Sequence, residues 1–116
     1  MTYLLDPKLI NNQKIQGILD QFKQEIYQIY QDNLSQLILF GSQARGSAKP
    51  DSDIDVLIVL KSSIKDKTKY QQVINLISDL CLEYELLISC VYVNESQFKT
   101  EKSPLLINIH KEGIKL

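Results

Sequence analysis

Between residues 41 and 55 the chain reads Gly-Ser-Gln-Ala-Arg-Gly-Ser-Ala-Lys-Pro-Asp-Ser-Asp-Ile-Asp. Two kinds of chemistry lie in that stretch. Gly41 lets a backbone approach a phosphate with no Cβ in the way, and the amides that follow can form an anion-binding concavity. Ser42 adds a hydroxyl donor, Arg45 a planar and permanently charged fork suited to phosphate oxygens, and Gly46 a second tight turn. Asp53 and Asp55 then stand two apart at the start of an apolar run. Strand residues at that spacing share a face, and two carboxylates on one face ionise together readily only with a cation between them. Magnesium takes oxygen ligands and keeps waters or substrate phosphates in its shell. A carboxylate pair with a nucleoside triphosphate can hold two metal ions about 3.5–4 Å apart for an in-line displacement. The stretch thus reads as a metal–triphosphate site, with Gly41, Ser42 and Arg45 on the nucleotide and Asp53 and Asp55 as metal ligands and catalytic acids.

Each part has an ordinary structural explanation when taken alone. Asp-Ser-Asp is most often a turn leading into a strand, and a lone Gly-Ser says less. It is the combination that argues for a site: strand, Gly-Ser, Arg, Gly, a Pro50 bend, then Asp-x-Asp opening an apolar strand. Gly41 to Gly46 also has the Gly-x-x-x-x-Gly spacing of a P-loop, but Ser47 stands where that motif needs Lys, and no long helix follows.

The elements that must position these residues follow from periodicity. Ile15, Leu19, Phe22, Ile26 and Ile29 recur at steps of four and three, which predicts an amphipathic helix over 11–32 ended by Asn33. Leu34 to Phe40 reads as a buried strand broken by Gly41. Gln43 to Ala48 has room for one helical turn. Ile54 to Leu60, rich in β-branched residues, reads as a central strand, and Lys61 to Asp66 as a polar loop. Tyr70, Val73, Ile74, Ile77, Leu80, Cys81 and Tyr84 mark a second helix over 66–84. Leu86 to Val93 predicts a third strand. Ser103 and Pro104 open a last helix as N-cap and first helical residue, and Gly113 is placed to close it. The result is a small sheet with helices packed on it.

The 116 residues fit one compact domain, 1–116, with 44% apolar and 23% charged residues and a net charge of −1. Such a chain has a core of its own but little room to hold a large acceptor. The charge gives no field that points to nucleic acid. Cys81 and Cys90 lie in apolar segments and read as buried thiols of a reducing compartment; no cysteine–histidine cluster suggests zinc. Nothing approaches the roughly 18 apolar residues of a membrane span, and the N-terminus lacks a signal-peptide pattern. A cytoplasmic protein is expected.

The pattern Gly-Ser, ten residues, Asp-x-Asp at Gly41, Ser42, Asp53 and Asp55 resembles the DNA polymerase β-type nucleotidyltransferase superfamily. Phe40 before the glycine, Ala-Arg-Gly at 44–46 and the short length resemble its minimal nucleotidyltransferase (MNT) subgroup. That resemblance implies an α/β (α+β) fold, a three- to four-stranded mixed sheet with helices packed on it. It also implies an antitoxin partnered with a HEPN-domain ribonuclease toxin, forming a hetero-oligomer. The activity implied is transfer of AMP from magnesium–ATP to a tyrosine hydroxyl of the toxin. Gly41 and Ser42 would hold the triphosphate and Asp53 and Asp55 the Mg2+; Arg45 as a phosphate contact rests on its chemistry more than on the motif.

One departure stands out. Many active members of the superfamily carry a third carboxylate on the next strand, as metal ligand or general base. Here 86–93 holds no acid, Ser89 falls at the expected place, and Glu83 and Glu85 read as surface charges. Loss of that acid keeps open a second reading, a non-catalytic antitoxin that blocks its toxin by binding. A transferase acting on a small molecule or on RNA is a third, disfavoured by the missing accessory domain and by the charge. His110 has no catalytic partner in sequence and reads as structural or exposed. Lys61, Lys65, Lys67 and Lys69 read as a solvated loop and helix start, and the tyrosines as helix packing or interface.

Overall fold

The protein is represented by a computed structural model, whose described residues are 3–4, 13–46, 53–62 and 65–116. The elements run β1 (Tyr3–Leu4), α1 (Gln13–Tyr30), a 3-10 turn (Gln31–Asn33), β2 (Leu34–Phe40), α2 (Ser42–Arg45), β3 (Ile54–Leu60), α3 (Lys67–Tyr84), β4 (Ile88–Asn94), α4 (Glu95–Thr100), α5 (Pro104–Glu112) and β5 (Ile114–Lys115). The Pro50 bend, the end of the turn expected at 43–48 and the helix start expected at 11 lie outside the described residues.

The sheet is mixed, in the order β1-β5-β2-β3-β4. β2 runs antiparallel to β3, β3 parallel to β4, β2 antiparallel to β5, and β1 parallel to β5. The small mixed sheet expected from the sequence is present, and two strands of two residues each bring it to five. Those two carry too few residues for a period-two pattern and form only because the tertiary fold lays them side by side.

β3 is buried on both faces: Val56 through Leu60 are all inaccessible to solvent. Ile54, Val56, Ile58 and Leu60 join Leu37 and Leu39 under α1 and α3, while Leu57, Val59 and Ile38 join Val93, Phe98, Leu106 and Ile109 under α4 and α5. A strand covered on both sides reads as an unbroken apolar run, which is the run seen in the sequence.

The stripe of α1 is Ile15, Ile18, Leu19, Phe22, Ile26 and Tyr30, with Ile29 at its margin. α1 ends at Tyr30, short of the expected 32, where Gln31 turns left-handed at φ 50°; Asn33 closes the 3-10 turn that follows and ties it to the far end of β3. Its carbonyl accepts from Lys61 N–H at 2.8 Å, and its Oδ1 accepts from Ser62 N–H at 3.0 Å and Oγ at 2.8 Å. In α3 the buried line is Val73, Leu76 and Leu80, with Ile77, Cys81 and Tyr84 packed against the core as expected; Leu76 joins that face and Ile74 and Tyr70 fall outside it. Ile74 lies one residue, about 100° of helix, off the buried line. Asp66 caps α3, accepting from Lys69 N–H at 3.1 Å.

β4 starts at Ile88 rather than Leu86 because Glu85 ends α3 in the left-handed conformation (φ 55°) and the chain needs two residues to reach the sheet. α4 went unread in the sequence, although its signal was there. Asn94 and Gln97 form a capping box, Gln97 N–H to Asn94 Oδ1 at 2.8 Å and Asn94 N–H to Gln97 Oε1 at 3.0 Å. Ser103 caps α5 as expected, accepting from Leu106 N–H at 3.3 Å. His110 is structural: it stacks on Phe98 with centroids 4.2 Å apart, and its Nε2 lies 2.8 Å from the Phe98 carbonyl. Cys81 and Cys90 are free thiols packed against the core, and burial pushes Cys90 up to about 12, with Cys81 adding to the shift.

Gly113 closes α5 at φ −65°, outside the left-handed region. Its glycine answers to space instead: an added Cβ would lie 2.5 Å from the Ile109 carbonyl oxygen and 2.6 Å from Ile38 Cγ2. This is where the end of α5 sits down on β2. Overpacking at such a contact costs about 1–3 kcal/mol, so Gly113→Ala is expected to lower stability by that amount in urea denaturation; an unchanged midpoint would show that the contact relaxes freely.

Candidate functional site

The site is assembled by the antiparallel pairing of β2 and β3, in which Phe40 lies opposite Asp55. The last residue of β2 therefore stands beside the first acid inside β3, and Gly41 is delivered to the Asp55 carboxylate. A Cβ on Gly41 would lie 2.5 Å from Asp55 Oδ2. Gly41 also has φ 77° and ψ −154°, a conformation populated essentially by glycine alone. Two separate constraints thus demand glycine here, and one of them is the carboxylate.

From Gly41 the chain turns into α2. Arg45 N–H donates to the Gly41 carbonyl at 3.1 Å, and Gly46, left-handed at φ 76°, closes the turn. Gln43 is buried and Ala44 packs on the core, while Ser42 is half-buried and Arg45 exposed. The inward pair anchors the turn and leaves Arg45 on its outer side.

Asp53 precedes β3 and is exposed; Asp55 is its first polar residue and is half-buried. Asp55 follows the alternation of Leu57 and Val59, on the face that carries α4 and α5. Its carboxyl is held above the ordinary value, first by burial and then by the neighbouring Asp53 charge, with Arg45 acting in the opposite direction. The site is therefore short of positive charge. That is the electrostatic state a divalent cation would relieve, so the paired acids suit an oxygen-binding metal such as magnesium.

The parallel register of β3 and β4 sets Ser89 beside Asp55. Ser89 is exposed, and among the described residues no group of three or more metal-ligating side chains gathers anywhere. The position where a third acid was sought is thus a serine in space as well as in sequence. Glu83 and Glu85 are exposed at the end of α3, as expected of surface charges. Lys61, Lys65, Lys67 and Lys69 follow the opposite end of β3, whose last residue, Leu60, is roughly 17 Å from Asp55 at about 3.3 Å per strand residue. Tyr30, Tyr70 and Tyr92 cluster away from the acids: the Tyr30 and Tyr92 hydroxyls share a hydrogen bond at 3.0 Å and Tyr70 meets Tyr92 edge-on.

One feature of the site had no signal in the sequence. A groove of about 220 Å³ opens beside Gly41 and Arg45, floored by Phe40, Leu105 and Ile109 and edged by Asn108 and Glu112. Across it Arg45 Nη1 lies 3.5 Å from Glu112 Oε2. The two residues are 67 apart in the chain, beyond the reach of any local spacing rule.

A glycine turn set against a carboxylate pair on a small mixed sheet brings an open backbone and oxygen ligands to one place. Residues 19–116 match the family described as nucleotidyltransferase domain. Two Methanocaldococcus jannaschii proteins, both provisionally named protein adenylyltransferases, are similar to the chain. MJ0141 is 36% identical over 99 residues, covering 85% of this chain and 95% of its own length. MJ1305 is 33% identical over 107 residues, covering 90% of this chain and 69% of its own length. Among solved structures, a chain of a toxin–antitoxin crystal structure with AMP-PNP shares the fold at a TM-score of 0.57 and 16% identity, over 83% of this chain and 70% of that one. The chain belongs to the nucleotidyltransferase domain family, and its activity class is that of a nucleotidyltransferase.

The raised Asp55 carboxyl makes a testable statement about stability. An acid whose folded value lies above its unfolded one favours folding when protonated, and that contribution is lost as pH rises through the folded value. In metal-free buffer at neutral pH, Asp55→Asn is therefore expected to melt above the wild type, with the gap closing as pH falls through the carboxylate range; a wild type that melts higher at neutral pH would contradict it. Gly41→Ala, strained in backbone and pressed on Asp55, is expected to lose about 1–3 kcal/mol, measured by urea denaturation.

Proposed function

We propose that the chain is an antitoxin that transfers AMP from magnesium–ATP to a tyrosine hydroxyl of a partner HEPN-domain ribonuclease toxin and so neutralises it. The observation that carries this reading is the contact of the Gly41 turn with Asp55: a triphosphate seated on the turn has its reacting phosphorus within reach of the carboxylates. Gly41 gives the phosphates access to the backbone, Ser42 donates its hydroxyl to them, and Arg45 offsets their charge. Asp53 and Asp55 would hold Mg2+, which would stabilise the charge that develops on the phosphoryl oxygens. The acceptor hydroxyl gives its proton to solvent as its oxygen attacks the α-phosphorus, the bond to the bridging oxygen breaks, and pyrophosphate leaves.

Three further points support the reading. The M. jannaschii relatives carry names for AMP transfer to proteins. The toxin–antitoxin neighbour was solved with an ATP analogue. No described helix is long and apolar enough to cross a membrane, in keeping with a cytoplasmic partner and a hetero-oligomer with the toxin. The second reading, a module that blocks the toxin by binding alone, is favoured by one observation, the exposed Ser89 where an activating acid would stand beside Asp55.

The two readings separate cleanly. With the toxin encoded beside it, ATP and magnesium, the wild type is expected to raise the intact mass of the toxin by one or more AMP groups, and Asp53→Ala with Asp55→Ala to abolish that gain without loss of fold. No added mass would sink the transferase reading, and full protection of cells by the double variant would establish blocking instead.

A further inference from the structure

Glu112 is the last residue of α5, where the helix dipole favours cations. His110 and Lys111 in the same turn follow that preference and Glu112 goes against it. What faces Glu112 is Arg45, its Nη1 3.5 Å away across the groove, with both side chains about half-exposed at 49% and 46%. The carboxylate stands on a fixed mount. The next residue, Gly113, is packed so closely on Ile38 that it leaves no room for a Cβ, and His110 is tied to the Phe98 carbonyl at 2.8 Å. Arg45, by contrast, projects from a single turn of helix. The arginine is the longer side chain and the one carried by the shorter element.

We infer that Glu112 is a built-in competitor for Arg45, holding the guanidinium when the turn is empty and setting how tightly the site keeps a polyphosphate. This rests on the reading of Arg45 as a phosphate contact. A metal-bound triphosphate or pyrophosphate presents more charge and better-directed oxygens than one carboxylate at 3.5 Å, so it displaces Glu112. Arg45 swings from the end of α5 to the phosphates, and Glu112 then faces an anion across the groove. Part of the attraction between Arg45 and phosphate is spent in breaking the pair. Binding is weaker than the turn alone would give, and when pyrophosphate departs Arg45 returns to Glu112. Glu112 is thus a positioning residue that acts through Arg45.

The test measures binding of magnesium–AMP-PNP and of magnesium–pyrophosphate to the whole chain by titration calorimetry, carried to millimolar ligand. Exposed ion pairs of this kind correspond to a few-fold in affinity. Glu112→Gln is therefore expected to bind both ligands about two- to fivefold more tightly than wild type at low ionic strength, with the gain fading at high salt. An unchanged melting temperature shows that the fold is intact. In an Arg45→Gln background the same change is expected to bring no gain. Unchanged or weaker binding by Glu112→Gln overturns the inference, as does a gain that persists without Arg45, which would make Glu112 merely a nearby charge. Wild-type protein that binds neither ligand overturns the phosphate reading itself, a separate and visible result.

Discussion

The antiparallel ladder between β2 and β3 is the constraint on which the rest of the molecule depends. Because Phe40 pairs with Asp55, the residue after β2 falls on the carboxylate of the residue that begins β3. A shift of one position would turn Asp55 to the face under α1 and α3 and bury it in the larger apolar core. The register is held from both sides: Leu37 and Leu39 must meet Val56 and Ile58 beneath α1 and α3, and Ile38 must meet Leu57 beneath α5. Two apolar faces packed at once leave no alternative pairing of similar energy, so the hydrophobic core, rather than any polar contact, positions the acids.

That arrangement has an electrostatic consequence. The start of β3 holds Asp55 half-buried with Asp53 close by, and the nearest offset, Arg45, is shared with Glu112. Burial and like charge lift the Asp55 carboxyl together. A site built to be stable on its own would place a lysine or a hydrogen-bond donor there. One short of positive charge is instead ready for a cation and for the anion the cation brings, as befits a member of the nucleotidyltransferase domain family.

The two sides of the acid pair differ. On the β2 side lie the glycine turn, Arg45, the groove and the end of α5. On the β4 side lies Ser89, exposed on the outermost strand of the sheet. On the proposed reading the triphosphate sits on the β2 side and a protein acceptor approaches from the β4 side, where Ser89 is exposed.

Much of this was legible without coordinates. The three long strands, both long helices, the Ser103–Pro104 start and the glycine–carboxylate motif follow from local rules: period, capping and the backbone freedom of glycine act within a few residues. The sequence alone determined that Gly41, Ser42 and Arg45 lie on a turn, that Asp53 and Asp55 lie at the entry of the next strand, and that strand β4 carries no acid. It misassigned the exposed edge of α3, because Ile74 and Leu76 are equally apolar and only packing against β4 and α1 chooses between them. It passed over the Asn94–Gln97 capping box, a local signal that was readable. Tertiary structure alone decided the seating of Gly41 on Asp55, the pairing of Ser89 with Asp55, the two short strands, and the meeting of Arg45 with Glu112. Each of these joins residues apart in the chain, set by the register of neighbouring strands or, for Arg45 and Glu112, by where α5 packs on the sheet, which no local spacing in the sequence encodes.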